Sequence, residues 1–332
     1  MLRPALIALV ALGLSWATPG DARPGRFPPP DREYMVPVSG GSIYVRVNGR
    51  LDGPRPPIVL AHGGPGGTHA GLLDALELAD QRAVILYDQL DSGRSDRPNL
   101  RSNWTVERFT DELEAIRAAL AIPRWYVLGH SWGGTIALEY AARRPPALAG
   151  VVLASPLIST RSWIADANAL IAGLPPPVRE DIHACNGAKP PPAATCDAAT
   201  AAFYALYVRR EPVAAAREAY RHPLDRGFNP DLYQTMWGKA EFVSTGTLKD
   251  YDGEPLLARL DARRTLFLVG QHDEARPATA AAFAGRIPGA EYAVVPGAAH
   301  ALFSDRPGET LGLLRAWLER QDSSREAGQS AP

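Results

Sequence analysis

Five residues, Gly129-His130-Ser131-Trp132-Gly133, constrain this chain more than any other stretch of it. They stand between an apolar run, Trp125-Tyr126-Val127-Leu128, and a helix-like stretch, residues 135–142. A G-x-S-x-G at a strand-to-helix junction reverses the chain sharply. The serine is then held in a strained backbone region with its Oγ projecting above the sheet. Glycines flank the serine because a Cβ at either place would collide with the neighbouring strand or helix. The same turn aims the first amides of the helix at whatever the serine attacks, which favours a developing negative charge.

Around that turn, short apolar runs alternate with helical patterns. Residues 34–38 and 43–47 read as an antiparallel strand pair around Gly40-Gly41. Continuous apolar runs at 58–61, 83–87, 126–128 and 151–154 follow, with helical stretches between them, clearest at 106–120. This pattern predicts a parallel sheet covered on both faces. The alternation stops after Pro156, where the chain turns alanine-rich and helical, and resumes with strands at 265–269 and 292–295 and a last helix at 310–319. The expected architecture is an α/β-hydrolase fold, a mostly parallel eight-stranded sheet with helices on both faces. Its core comprises residues 23–156 and 252–321, with a helical cap, 157–251, inserted after the sixth strand. Residues 322–332 are polar and are expected to be a disordered tail.

The first residues read as an address. Met1-Leu2-Arg3 precedes an unbroken apolar run from 5 to 14, and small residues allow cleavage after Ala17 or Ala22. A signal peptide over residues 1–22 is expected, with an uncleaved anchor as the alternative. The run falls short of the roughly 20 apolar residues a spanning helix needs. The protein is therefore expected in the periplasm or secreted, with no stable membrane association after cleavage. A net charge of -1 and the lack of a Lys/Arg-rich run argue against a nucleic-acid partner. Cys185 and Cys196, the only two cysteines, most simply form a disulfide in an exported chain. Unpaired thiols, or a metal site with His183, are the alternatives. No second ligand pair stands at zinc spacing, so neither metal nor cofactor is expected.

A serine hydroxyl is a weak nucleophile; it needs a base, and the base needs an orienting carboxylate. In an α/β-hydrolase these follow in the order Ser, Asp/Glu, His, on loops after the last strands. Asp273 lies just after the run ending at Gly270, and His300 after the run ending near Val295. The other six histidines lack that position. Ser131, Asp273 and His300 are thus the expected catalytic residues. One oxyanion donor is expected from the amide of Trp132. The other is expected from the loop His62-Gly63-Gly64-Pro65-Gly66-Gly67, at Gly64 or else Gly63.

Together with Asp88-Gln89, Gly93-Arg94-Ser95-Asp96 and the segment Met236-Trp237-Gly238-Lys239-Ala240-Glu241-Phe242, these motifs resemble the prolyl aminopeptidases (proline iminopeptidases) of the α/β-hydrolase fold. The likeness covers nearly everything from 34 to 320. It implies a serine exopeptidase that releases an N-terminal proline or other small residue from a small peptide or amino-acid amide. The substrate amine would be held by Glu241 and Glu274, which suits a desolvated ammonium. Trp132 and Trp237 are candidates for shaping the pocket around the proline ring. An amino-acid amidase, esterase or lactonase is the nearest alternative, and a non-catalytic secreted binding protein is one of another class. The chain departs from the family at Asp91, where glycine is usual, and in its Cys185–Cys196 proline loop.

Overall fold

The computed structural model describes residues 27–220 and 222–329, with side chains as far as 324. The expected signal segment, residues 1–22, lies outside the described residues, as do residues 330–332. Eight strands form one sheet: β1 (Arg32–Val38), β2 (Gly41–Asn48), β3 (Ile58–Ala61), β4 (Val84–Tyr87), β5 (Trp125–His130), β6 (Leu148–Ala154), β7 (Thr265–Gly270) and β8 (Glu291–Val295). Their spatial order is β1-β2-β4-β3-β5-β6-β7-β8. Pairing is antiparallel from β1 through β2 to β4 and parallel across the remaining strands.

The continuous apolar runs have a direct cause. Every residue of β3, β4 and β7 is buried, because helices cover both faces of the sheet. Each fully buried Val, Leu or Ile contributes about 1.5–3 kcal/mol, enough to hold strained loops at the strand ends. On one face lie α1 (Val106–Ala119), capped by the Thr105 side chain, and α2 (Trp132–Ala142), which starts at the reversal itself.

Among the described residues, the connection from β6 to β7 carries five α-helices: α3 (Thr160–Ala172), α4 (Pro176–Cys185), α5 (Ala193–Tyr207), α6 (Ala215–Glu218) and α7 (Pro230–Met236). A small core of their own, including Ile171, Ile182, Phe203, Ala240 and Phe242, holds part of this layer together. Cys185 and Cys196 form a disulfide, S–S 2.05 Å, joining the end of α4 to the start of α5. The chain returns through α8 (Pro277–Gly285), α9 (Leu302–Asp305) and α10 (Pro307–Gln329).

The last helix corrects the expectation of a disordered tail from 322. Helix α10 continues to Gln329 because Asp322 is anchored: Arg82, with its side chain fully buried, pairs with it at 2.7 Å, and the Tyr126 hydroxyl donates to it at 2.9 Å.

Candidate active site

Ser131 adopts φ +59° and ψ -123°, a region that costs a non-glycine residue about 1–3 kcal/mol. Sheet and helix hold it there. Its amide donates to Ala154 O at 3.0 Å, and its carbonyl accepts from Gly134 N at 2.8 Å and Leu157 N at 3.2 Å. A Cβ on Gly129 would strike the Gly133 carbonyl, and one on Gly133 the Ala61 carbonyl, so neither position tolerates a side chain.

Asp273 and His300 meet at this end of the sheet. His300 Nδ1 lies 2.9 Å from Asp273 Oδ1. The aspartate also accepts from the amides of Ala275 (2.9 Å) and Gly270 (3.1 Å) and from the Ser155 hydroxyl. Four donors fix the carboxylate, and the carboxylate fixes the imidazole. Burial alone would depress the pKa of His300, but the charge and hydrogen bond of Asp273, with Glu241 beyond, raise it above its usual value. His130 behaves differently. Burial, then the charge of His300, push it down to about 4, and its Nε2 stands 2.8 Å from the His300 carbonyl, the position of a neutral ring donating a hydrogen bond. That contact steadies the backbone of His300.

The loop after β3 lies directly against the serine: a Cβ on Gly63 would come within 2.9 Å of Ser131 Cβ. Gly64 follows at φ +123°, where only glycine is at ease. Among the described residues the Trp132, Gly63 and Gly64 amides donate to no other group. Gln89 ties the two loops together. It accepts from the Trp132 indole at 2.9 Å and donates its side-chain amide to His62 O at 2.9 Å. Nothing in the sequence marked Gln89 for that bridge, because it joins positions far apart in the chain.

Glu274 is 1% exposed, and neither of its carboxyl oxygens has a hydrogen-bond partner among the described residues. His300 Nε2 stands 3.8 Å from one of them. Burial first, then the charges of Glu241 and Asp273, hold its pKa well above the carboxylate range. Glu241 rides on the tight turn bridging Ala240 and Val243. Its carboxylate accepts from the Tyr233 hydroxyl at 2.9 Å, its amide donates to the Tyr204 hydroxyl at 3.1 Å, and its carbonyl accepts from the Trp163 indole at 2.9 Å. Burial raises its pKa too, opposed by His300 and Tyr233. The charges of Glu241 and Glu274 thus act on one another, and His300 is the cation beside them.

Trp237 is placed differently from the expectation that it shapes the substrate pocket. It is 2% exposed, its indole donates to Ala240 O, and its ring packs edge-on against Trp163 at 6.1 Å. The tryptophan that touches His300 is Trp163, at 5.5 Å between ring centres. The reason is that Trp237 closes α7, where its ring turns inward to cover the apolar interior. The Trp132 side chain is likewise fully buried, against Phe109. Trp163, Tyr204 and Tyr233 have no motif around them and were invisible until the cap folded over the site.

Asp91, the departure from the family pattern, adopts φ +66°, the left-handed region that glycine would occupy at less cost. Its buried carboxylate accepts from Asn99 N and from the Trp104 indole, both at 2.7 Å. The turn keeps its left-handed step and gains two side-chain anchors.

Above Ser131 and His300 opens a cavity of about 310 Å³, walled by the Gly63-Gly64 loop, Leu72, Phe228, Glu241 and Arg209 among others. Among the described residues, no group of three or more His, Cys, Asp or Glu is arranged to hold a metal ion. The family model for the α/β hydrolase fold matches residues 56–307. A proline iminopeptidase of Heyndrickxia coagulans is 34% identical over 291 residues, covering 86% of this chain and 98% of that one. Among solved structures, VinJ superposes with a TM-score of 0.80 at 34% identity, over 88% of this chain and all of that one. The proline iminopeptidase of Mycobacterium smegmatis superposes with a TM-score of 0.77 at 31% identity, over 89% of this chain and all of that one.

Proposed function

Because this chain belongs to the proline iminopeptidase family of the α/β hydrolases, we propose that it is a serine exopeptidase. It releases an N-terminal proline, or another small residue, from peptides, amides or arylamides through an acyl-enzyme. The observation that carries this reading is Glu274: a buried carboxyl with no hydrogen-bond partner among the described residues, under the charge of Glu241 and 3.8 Å from the imidazole. A buried charge is tolerable only when paired, so the pair of glutamates is a site waiting for a cation of ammonium size.

The substrate's ammonium seats between Glu241 and Glu274, which sets the chain end one residue from the bond to be cut. His300 Nε2 takes the Ser131 hydroxyl proton as Oγ bonds to the carbonyl carbon, and Asp273 stabilises the imidazolium. The oxyanion accepts hydrogen bonds from the free amides of Trp132 and Gly64; each such donor contributes about 3 kcal/mol. His300 then gives its proton to the leaving nitrogen as the C–N bond breaks. Water, deprotonated by the same imidazole, attacks the acyl-enzyme, and the amino acid departs. The Cys185–Cys196 disulfide supports a periplasmic or secreted location, since such bonds persist in oxidising compartments.

The test is turnover of Pro- and Ala-para-nitroanilide against their N-acetylated forms. Free amines should be cleaved and blocked ones spared; equal turnover of both would sink the amine clamp. Labelling by a fluorophosphonate, lost in Ser131→Ala, separates any serine enzyme from a non-catalytic binding protein.

A further inference from the structure

Arg209 lines the same cavity as Ser131, Glu241 and His300. Its side chain makes no hydrogen bond or ion pair among the described residues. The backbone that carries it is nonetheless fixed to the catalytic loops. Tyr207 O accepts from the amides of both Glu274 (3.2 Å) and His300 (3.1 Å), and Val208 O accepts from Ala301 N at 2.8 Å. On its other side, Arg210 N and Glu211 N donate to the buried Asp305, both at 3.1 Å. The backbone at Arg209 is tied on both sides, while its guanidinium has no hydrogen bond or ion pair among the described residues.

His300 is the cation nearest the glutamates: its Nε2 stands 3.8 Å from Glu274, and its charge acts on Glu241. Arg209 instead lies near Arg217, whose pKa burial lowers first and the like charge of Arg209 lowers further. The cavity wall thus carries both an acidic residue, Glu241, and a basic one, Arg209, with Leu72 and Phe228 among its apolar residues. At about 310 Å³ it stands at the small end of ligand pockets. A di- or tripeptide, at most roughly 7–11 Å long when extended, matches that scale.

We propose that Arg209 binds the free carboxylate of a short peptide on the leaving-group side of the scissile bond, so that the site reads both charged ends of a di- or tripeptide. The inference rests on the amine clamp of Glu241 and Glu274, which assigns the opposite end of the substrate to Arg209. Guanidinium–carboxylate pairing supplies the geometry, and its exposure keeps the gain modest.

The experiment compares Pro-Phe with its C-terminal amide, Pro-Phe-NH2, and with N-acetyl-Pro-Phe. In the wild type kcat/KM for the acid should exceed that for the amide by about five- to tenfold, through KM. Arg209→Ala should collapse that ratio to about one, and Arg209→Lys should restore part of it. Equal values for acid and amide in the wild type overturn the proposal, whatever the variants do. So does an Arg209→Ala enzyme that slows both substrates equally, the mark of a merely structural residue. Rapid cleavage of N-acetyl-Pro-Phe would instead defeat the amine clamp, a separate result from the acid-to-amide ratio.

Discussion

Replacing Glu274 by glutamine should move activity and stability in opposite directions. The carboxyl is 1% exposed, has no hydrogen-bond partner among the described residues, and is crowded by the charges of Glu241 and Asp273. Buried beside those charges, its ionised form is a liability. Its folded pKa is raised well above that of an unfolded glutamate, so the folded state holds a proton that the unfolded state has already lost. Stability must then fall as pH rises from about 4.3 toward that raised pKa, with a limiting slope of about 1.4 kcal/mol per pH unit. Glu274→Gln removes this slope and should be the more stable protein at neutral and alkaline pH. Catalysis runs the other way. With one of two buried partners gone, the ammonium loses about 3 kcal/mol of pairing, roughly a hundredfold in kcat/KM for Pro-para-nitroanilide. Urea melts from pH 5 to 9 and steady-state kinetics on both proteins check the two signs together. A variant that keeps wild-type kcat/KM, or melts with the wild-type pH slope, would refute the assignment of Glu274 as an empty cation partner.

Two further outcomes follow from the cap and from the turn at Asp91. Asp91→Gly restores the residue usual at that left-handed step, yet it should destabilise the protein by about 1–2 kcal/mol, because the buried Trp104 indole and Asn99 amide lose their acceptor. A urea midpoint equal to or above the wild type would show that backbone strain outweighs those bonds. Replacing both Cys185 and Cys196 by serine opens a loop with a sequence separation of 11 and should lower stability by about 3 kcal/mol. Because Ile182, Ala199 and Phe203 of the stapled helices pack on Ala240 and Phe242, the residues on either side of Glu241, KM for Pro-para-nitroanilide should rise severalfold while fluorophosphonate labelling persists. An unaltered KM would mean that the glutamate is positioned without the staple.

Much of this protein was legible in one dimension because its signals are local. The eight expected segments became the eight strands, and inner ones such as β3 and β4 are apolar along their whole length because they are buried on both faces. The G-x-S-x-G turn declared itself because its glycines answer collisions within a few residues of the serine and with the neighbouring strand. Asp273 and His300 were readable from their places after the seventh and eighth strands, and the structure joins them at 2.9 Å. Asp91 showed the same economy: its tolerance of the left-handed step is a property of the residue itself.

What resisted reading was whatever depends on distant segments meeting. The inward turn of Trp237, the contact of Trp163 with His300, and the bridge made by Gln89 are set by how the cap and loops pack, and no spacing encodes them. The end of α10 was misplaced for the same reason, since a polar stretch reads as solvated until Arg82 and Tyr126 are found beside Asp322. By itself, then, the sequence determined the sheet, the strained serine and the order of its partners, because short-range sterics and periodic burial dictate them. Tertiary structure alone decided that Glu274 is buried with no hydrogen-bond partner among the described residues and that Arg209 is tied beside the loops carrying Glu274 and His300. Burial and charge separation are properties of assembled surfaces, and they exist only once the cap has closed over the sheet.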